Sequence, residues 1–564
     1  MKKLLFSAIA LAALVSLSTF AREEKSLTPQ QKLMYAEAII ENYYVDSINS
    51  DSLVTEAIVS MLKTLDPHSQ YSSPEETKEL NQPLEGKFSG IGIQFSIVKD
   101  TVCVIQTTGG GPSERVGIRP GDRIVYVNDS LFTHPKMVNS EVLKTLRGEK
   151  GTEVKLRVKR GASPELIEFR IIRDDIPIYS VDASYMVAPE VGFISITRFA
   201  ESTPKELDRA IEKLAAQGMK HLILDLQSNG GGYLGAAHGV ASRFLDEGDM
   251  VVFTKGLNTP PQYFTVERND FGSLFKDKFN VNVKDKPKVE RLVIMVDQYS
   301  ASASEIVSGA IQDNDRGLIV GRRTFGKGLV QRPFPFPDGS MIRLTTSRYY
   351  TPSGRLIQKH YDKGQTEEYQ LDMLNRYNNG ELFSADSIHF DPALKTLTLK
   401  NQRTVYGGGG IMPDIFVPLD TTMYSNYYRD LSAKNTFNNF IVNTLDKQRR
   451  TFLDKYPTED DFYRDFKVSP EMLDRLTQMA RKDSIKIDEK QIAASQPIIE
   501  ATIRGLLARD LYKDGTYVRA VNPLNPIFNQ ALKVITDPLE YDRLLGNSHS
   551  VGVLDTDDDE DDAK

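Results

Sequence analysis

Cysteine is almost missing from this chain: Cys103 is the only one in 564 residues. No intramolecular disulfide can form. Cys103 stands in Thr101-Val102-Cys103-Val104-Ile105, a strand-like run where a small buried hydrophobe is the expected role. Long apolar runs are also lacking beyond the first 21 residues, so no later segment suits a bilayer span. An excess of one charge is missing as well. Of the formal −7, the acidic residues Asp555, Asp557, Asp558, Asp559, Glu560, Asp561 and Asp562, offset by Lys564, carry −6. The rest is nearly neutral and offers nucleic acid no electrostatic footprint.

What is present begins with Lys2 and Lys3, an apolar run from Leu4 to Leu17, and Ser18-Thr19-Phe20-Ala21. Charged, apolar and small residues in that order form a cleavable secretion signal, here residues 1–21. The run is short for a span of about 20 residues, and no cysteine follows it for lipid attachment. The expectation is an exported chain with no stable membrane span after cleavage.

The length exceeds what one core can serve, so three or more domains are expected. Residues 22–84 read as helical. Thr28-Pro29-Gln30-Gln31 is a capping box, with Leu33, Ala36 and Ile40 at helical spacing behind it. A second helix over about 52–65 stops at the turn Asp66-Pro67-His68-Ser69. From 85 to 175 short strands take over. Their order, with two short helices and the loop Gly90-Ile91-Gly92-Ile93, resembles a PDZ domain. That resemblance implies backbone N–H groups of Gly90, Ile91, Gly92 and Ile93 holding a peptide's terminal carboxylate. The peptide would add as a strand, and Ile91, Ile93 and Phe95 imply an apolar terminal side chain.

Residues 176–420 alternate strands with helices, as an α/β layer does. Thr203-Pro204-Lys205-Glu206 reads as a capping box, and Gly218 is placed to end that helix. Residues 421–545 read as mostly helical without a catalytic signature, and 546–564 as an acidic, disordered tail.

Three segments of the α/β region could carry chemistry. Asp225 to Gly232 follows a strand and ends in three glycines, which allow close backbone approach to a ligand. Tyr299-Ser300-Ala301-Ser302-Ala303-Ser304-Glu305 follows another strand. Ser302 and Glu305 have capping-box spacing, yet a serine at a strand-to-helix turn is also how some hydrolases expose a nucleophile. Gly321 to Lys327 mimics a phosphate-binding loop, but Gly328 replaces the magnesium-binding hydroxyl and a strand-like Leu329-Val330-Gln331 follows. The nucleotide reading is rejected.

Together these segments resemble the carboxyl-terminal processing (tail-specific) serine peptidase family. Ser-Ala-Ser-Ala-Ser-Glu, Gln312-Asp313, Thr324-Phe325-Gly326-Lys327-Gly328 and Gln331 occur in the family's order, as do Asp66 to Ser69, Gly407 to Gly410 and Pro413-Asp414. The resemblance covers about residues 28 to 420. It implies Ser302 as nucleophile, Lys327 as general base and Gln331 as the residue orienting the lysine. The implied oxyanion hole uses N–H groups of Ala303 and Gly231. Gln227 and Gly230 stand where members often carry Arg and Pro, which leaves the oxyanion glycine less defined.

The resulting fold class is a multidomain α/β chain. A PDZ domain lies between N-terminal helices and an α/β Ser/Lys peptidase core, and a helical region follows. Expected partners are proteins or peptides with apolar C-terminal tails, and the PDZ is a candidate gate. The terminal helices are candidates for homodimerisation or for docking an adaptor. No metal or other cofactor is implied. The family adds the periplasm, with membrane association as a variant of that location. Rival readings are a histidine triad using His68, His221 or His238, and a non-catalytic PDZ scaffold on a peptidase-like fold.

Overall fold

The computed structural model describes residues 27–161, 163–266, 287–512 and 516–546. The signal-like segment and nearly all of the acidic tail lie outside them. No helix among the described residues is long and apolar enough to cross a membrane.

Up to Leu65 the chain forms a unit of its own. Its helices are Pro29–Tyr43 and Ser50–Lys63. The Thr28 box closes in both directions, with Gln31 N–H on Thr28 Oγ1 and Thr28 N–H on Gln31 Oε1. No side chain of Pro29–Tyr43 is buried.

The second unit, from Asp66, holds everything else. Its small β domain has strands in the order Ile93–Val98, Thr101–Thr107, Arg123–Val127, Glu153–Lys159 and Leu166–Ile172, so Ile93–Val98 is an end strand. Helices Pro112–Val116 and Asn139–Leu146 complete it. Val102, Val104, Ile124, Leu156 and Ile171 fill its core. Cys103 points the other way and is buried, and burial pushes its thiol up to about 11. A reactive thiolate is thereby disfavoured.

The main layer is a six-stranded sheet whose spatial order follows the chain: Val181–Ala188, Val191–Ile196, His221–Asp225, Leu292–Val296, Leu318–Gly321 and Ile415–Phe416. The first pair is antiparallel and the other four are parallel. Alternate side chains serve two cores. Ile194, Leu224, Ile294 and Ile319 meet the helices Thr203–Ala215, Leu234–Ser242 and Ala303–Asp313. Phe193, Ile223, Val293 and Val320 meet Ile527, Phe528 and Tyr541. The last two helices, Pro526–Thr536 and Pro538–Leu545, thus form the back layer of this sheet. Each fully buried Phe or Ile contributes roughly 1.5–3 kcal/mol, enough to fix helices so distant in sequence.

The expected box at Thr203 does not form. Ser202 takes the N-cap position without a side-chain cap bond. Glu206 instead turns to Ser180 and Val181, accepting both amides at 2.7 and 3.0 Å. Its other oxygen accepts from the N-cap Ser202 hydroxyl at 2.6 Å, so the carboxylate bridges the strand end and the helix start instead of closing a box.

Between about 427 and 512 the helices pack around Phe437, Phe440, Phe462 and Leu507 as a separate apolar cluster. A second, antiparallel sheet includes Gln70–Ser72, Leu329–Pro335 and Met341–Tyr350. It carries the other half of the candidate site.

Candidate active site

Ser302 ends the turn that leaves strand Leu292–Val296 and precedes helix Ala303–Asp313. Its φ of 56° and ψ of −111° lie outside ordinary L-residue regions. Holding such a backbone costs roughly 1–3 kcal/mol and persists only where neighbours over-determine it. Those neighbours are identifiable. Ser300 Oγ donates to Leu226 O at 2.7 Å, and Ser304 Oγ donates to Asn229 O at 2.8 Å. Asp297 Oδ1 accepts the amides of Ser228, Tyr299 and Ser300 at 2.9 to 3.1 Å. The outer two serines bolt the turn to the glycine loop, and the middle one is not committed to that loop.

Gly231 lies against Ser302. A Cβ at Gly231 would stand 2.8 Å from Ser302 Cβ and 3.0 Å from the Ala303 nitrogen, and φ is +103°. Only glycine meets both demands. Its own N–H donates to Asn229 Oδ1 at 2.9 Å. Gln227 Oε1 accepts from Asn525 Nδ2 at 2.9 Å, so the position that departs from the family pattern is tied towards the back layer.

Lys327 reaches the site from the other sheet. Its Nζ donates to Gln331 Oε1 at 3.0 Å, one turn of extended chain further on. Gln331 Nε2 in turn donates to the carbonyl of His68. That carbonyl belongs to the Asp66-Pro67-His68-Ser69 turn, pinned by Asp66 Oδ1 accepting from His68 N, Ser69 N and Thr345 Oγ1. No ion pair to Lys327 is found among the described residues. Burial, and next the Arg343 guanidinium, push its ammonium below the ordinary value, with Glu305 and Asp66 pulling back. Desolvation therefore favours the neutral amine that a base must be.

Two side chains join the serine and lysine segments. Glu305 Oε2 accepts the amides of Ser302 and Lys327, each at 2.8 Å. Its Oε1 accepts from Gly326 N at 2.7 Å and Thr324 Oγ1 at 2.6 Å. Burial pushes the Glu305 carboxyl up to about 7, yet all four partners donate, so the geometry accommodates the carboxylate. Tyr349, fully buried, sets its hydroxyl between the carbonyls of Ser302, 3.1 Å away, and Lys327. Burial raises its pKa well above the ordinary value, which keeps the hydroxyl protonated.

This double clamp escaped the sequence reading. Glu305 was visible only as a helix-cap partner, and its reach to Lys327 is not a local property. Tyr349 carried no signal in the sequence.

The histidines separate. His221 starts its strand and lies 2.7 Å from an Arg291 nitrogen. His238 Nε2 meets Thr265 O at 2.9 Å. His68 feels Lys327, and its Nε2 is 2.8 Å from Tyr369 OH. Burial first, and Lys327 next, push it down to about 4. Phe325 and Tyr369 also flank Lys359 Nζ at 4.1 and 4.0 Å, so the lysine loop has an aromatic wall. Among the described residues no His, Cys, Asp or Glu group could hold a metal ion.

Residues 190–368 match the model of peptidase family S41, and residues 89–171 match that of the PDZ domain. A probable CtpA-like serine protease of Staphylococcus epidermidis is 34% identical over 354 residues, 61% of this chain and 67% of that protein.

The chain is a serine peptidase of family S41.

A Staphylococcus aureus protein of the same description is 35% identical over 336 residues, 59% of the peptidase and 63% of that protein. The solved photosystem II D1 C-terminal processing protease is 27% identical, covering 59% of the peptidase and 91% of its own chain, with a TM-score of 0.31. Residues 427–514 of the peptidase match a family of unknown function. The fold is therefore the expected one: a PDZ domain and an S41 core, with a helical C-terminal region.

Proposed function

We propose that the peptidase cuts protein substrates with Ser302 as nucleophile, Lys327 as general base and Gln331 as the group that orients the lysine. The observation that carries this is the clamp: Glu305 holds both amides, and Tyr349 meets both carbonyls, of these two residues. Neutral Lys327 takes the Ser302 proton as Oγ attacks the peptide carbonyl. The lysine then gives that proton to the leaving amine, and water activated in the same way releases the acyl-enzyme. The Ala303 N–H, at the positive end of helix Ala303–Asp313, faces the developing oxyanion together with the Gly231 backbone. The Gly231 N–H must leave Asn229 to serve there, or the adjacent glycine amides serve in its place.

The PDZ domain is read as the receptor for apolar C-terminal tails, at Gly90 to Ile93. Two features support this: Ile93–Val98 is an end strand, and Ile91 is buried beneath the loop. A gating role is supported by continuity. The turn whose His68 carbonyl holds Gln331 leads, through helix Pro74–Glu85, directly into the PDZ. Export to the periplasm, with or without membrane association, rests on residues 1–21 and on the family. The exposed Met34, Tyr35 and Tyr43 support the N-terminal helices as a surface for a second copy or an adaptor.

The test compares the mature chain with Ser302→Ala and Lys327→Ala on an unfolded protein ending in apolar residues, with fragments identified by mass spectrometry. Cutting by the wild type alone supports the assignment. Equal cutting by either variant removes that residue from the mechanism. Stimulation by a separate apolar tail peptide supports gating, and indifference to it counts against gating.

A further inference from the structure

The free edge of strand Ile93–Val98 does not face open solvent alone. Among the described residues the strand pairs only with Thr101–Thr107, so one row of its N–H and C=O groups is available to an added strand. The helical region matched to a family of unknown function reaches this strand from the sheet face opposite the PDZ core. Val442 packs there with Val98, Cys103 and Ile105. Asp446 pairs with Arg123 at 2.6 Å. Gln106 Nε2 donates to the Tyr512 carbonyl at 2.7 Å and to that of Arg509, capping the end of helix Glu489–Leu511.

Beyond the strand edge the same region continues as a wall. A cleft of about 580 Å³ lies between Gln94 to Ile97, the start of PDZ helix Asn139–Leu146, and Asn435, Asn438 and Arg509. The wall is built from connected polar groups. Arg509 Nη2 donates to Asn438 Oδ1 at 3.2 Å, and Asn438 Nδ2 donates to Asn435 Oδ1 at 2.7 Å. Arg509 Nε pairs with the buried Asp510 at 2.7 Å, and Arg449 donates to the Asp510 carbonyl at 2.6 Å. Among the described residues lining the cleft Arg509 is the one charged side chain. Asp510 takes its Nε and Asn438 its Nη2, so its remaining guanidinium N–H groups are left to meet an acceptor in the cleft.

We propose that this helical region is a second reader of the substrate tail, selecting an anionic side chain upstream of the apolar terminus. The inference rests on the PDZ acting as tail receptor. Side chains of an added strand point alternately to its two faces. One set turns to the PDZ helix, and the other meets Asn435, Asn438 and Arg509. With the carboxylate held at Gly90 to Ile93, an antiparallel tail runs past Gln94 to Ile97. At about 3.3 Å per residue the wall meets it roughly three to six residues from its end. Arg509 supplies charge-assisted hydrogen bonds to a Glu or Asp there, and the amides supply further donors.

Anisotropy of labelled ten-residue peptides on the full-length Ser302→Ala chain tests this. The peptides end in apolar residues and carry Glu, Ala or Lys in turn at the third to sixth positions from the end. Glu is expected to bind about tenfold tighter than Lys at one or two alternate positions. Arg509→Met should abolish the preference and Asn438→Asp should reverse it, both keeping the need for an apolar terminus. Equal binding of Glu and Lys everywhere, or a preference that survives both variants, overturns the second reader and leaves the PDZ reading standing. If an amidated or charged terminus binds as well as the apolar one, the PDZ reading itself fails and this inference falls with it.

Discussion

The Glu305 carboxylate and the Lys327 amide meet at 2.8 Å across 22 residues of sequence. The same oxygen takes the Ser302 amide, so the proposed nucleophile and the proposed base share one anchor. Glu305→Gln keeps the volume but turns one acceptor oxygen into a donor facing donors. The expected loss is about 2–3 kcal/mol of stability, from buried groups left unmatched. The kcat should fall at least about a hundredfold with KM little changed, because displacement of the reacting pair by a fraction of an ångström is felt in the transition state. Thermal unfolding with steady-state kinetics checks both. A folded variant with wild-type kcat would remove Glu305 from positioning.

Tyr349→Phe makes a narrower change. The ring keeps its buried place, and only the hydroxyl between the Ser302 and Lys327 carbonyls is lost. A stability cost of about 1 kcal/mol is expected, with a drop in kcat and an unchanged KM. A fall in melting temperature without any change in kcat would show that the hydroxyl only supports the fold.

Local features were legible from sequence and long-range ones were not. Strands Arg123–Val127 and Leu292–Val296 fall where short apolar runs and flanking turns put them, because those signals lie within a few residues. The strand after Lys327 was legible for the same reason, and it separates the Lys327 loop from a nucleotide site. The turn at Asp66 to Ser69 was visible, but its seat beside Gln331 was not, since that contact spans 263 residues. Pro526–Thr536 and Pro538–Leu545 read as part of a terminal helical region, yet they back the catalytic sheet. An amphipathic helix declares that it has a buried face and leaves open which surface buries it. Glu206 shows the converse, a local cap signal whose carboxylate is shared between the Ser202 hydroxyl and a strand end distant in sequence.

Lys327 ties activity to stability through pH. Its folded pKa lies below the ordinary value, so between the two the unfolded chain binds a proton that the folded chain does not. Stability from this group therefore rises with pH through that window and is lost as pH falls through the folded pKa. On the proposed mechanism activity should rise along the same limb, because only a neutral amine can accept the Ser302 proton. Lys327→Met, expected to be inactive on the proposed mechanism, should melt at a higher temperature than wild type at neutral pH, with the difference shrinking towards pH 10. Equal melting curves at all pH values would mean that the folded lysine carries no desolvation penalty.

His68 provides the test that separates the lysine from a histidine mechanism. Its folded pKa of about 4 lies below the ordinary 6.5 because burial, and then Lys327, oppose the imidazolium. Between those values the unfolded chain takes up a proton and the folded chain does not. Stability is thus lost as pH falls from 6.5 to about 4, by on the order of 2–3 kcal/mol. His68→Gln should flatten this part of the stability profile. The backbone carbonyl that holds Gln331 survives the substitution, so the pH-rate limb set by Lys327 should stay in place and kcat should change by less than about tenfold. A base contributes some 10²–10⁴ in rate, so a loss of that size in folded His68→Gln, with the limb abolished, would transfer the proton-accepting role from Lys327 to His68.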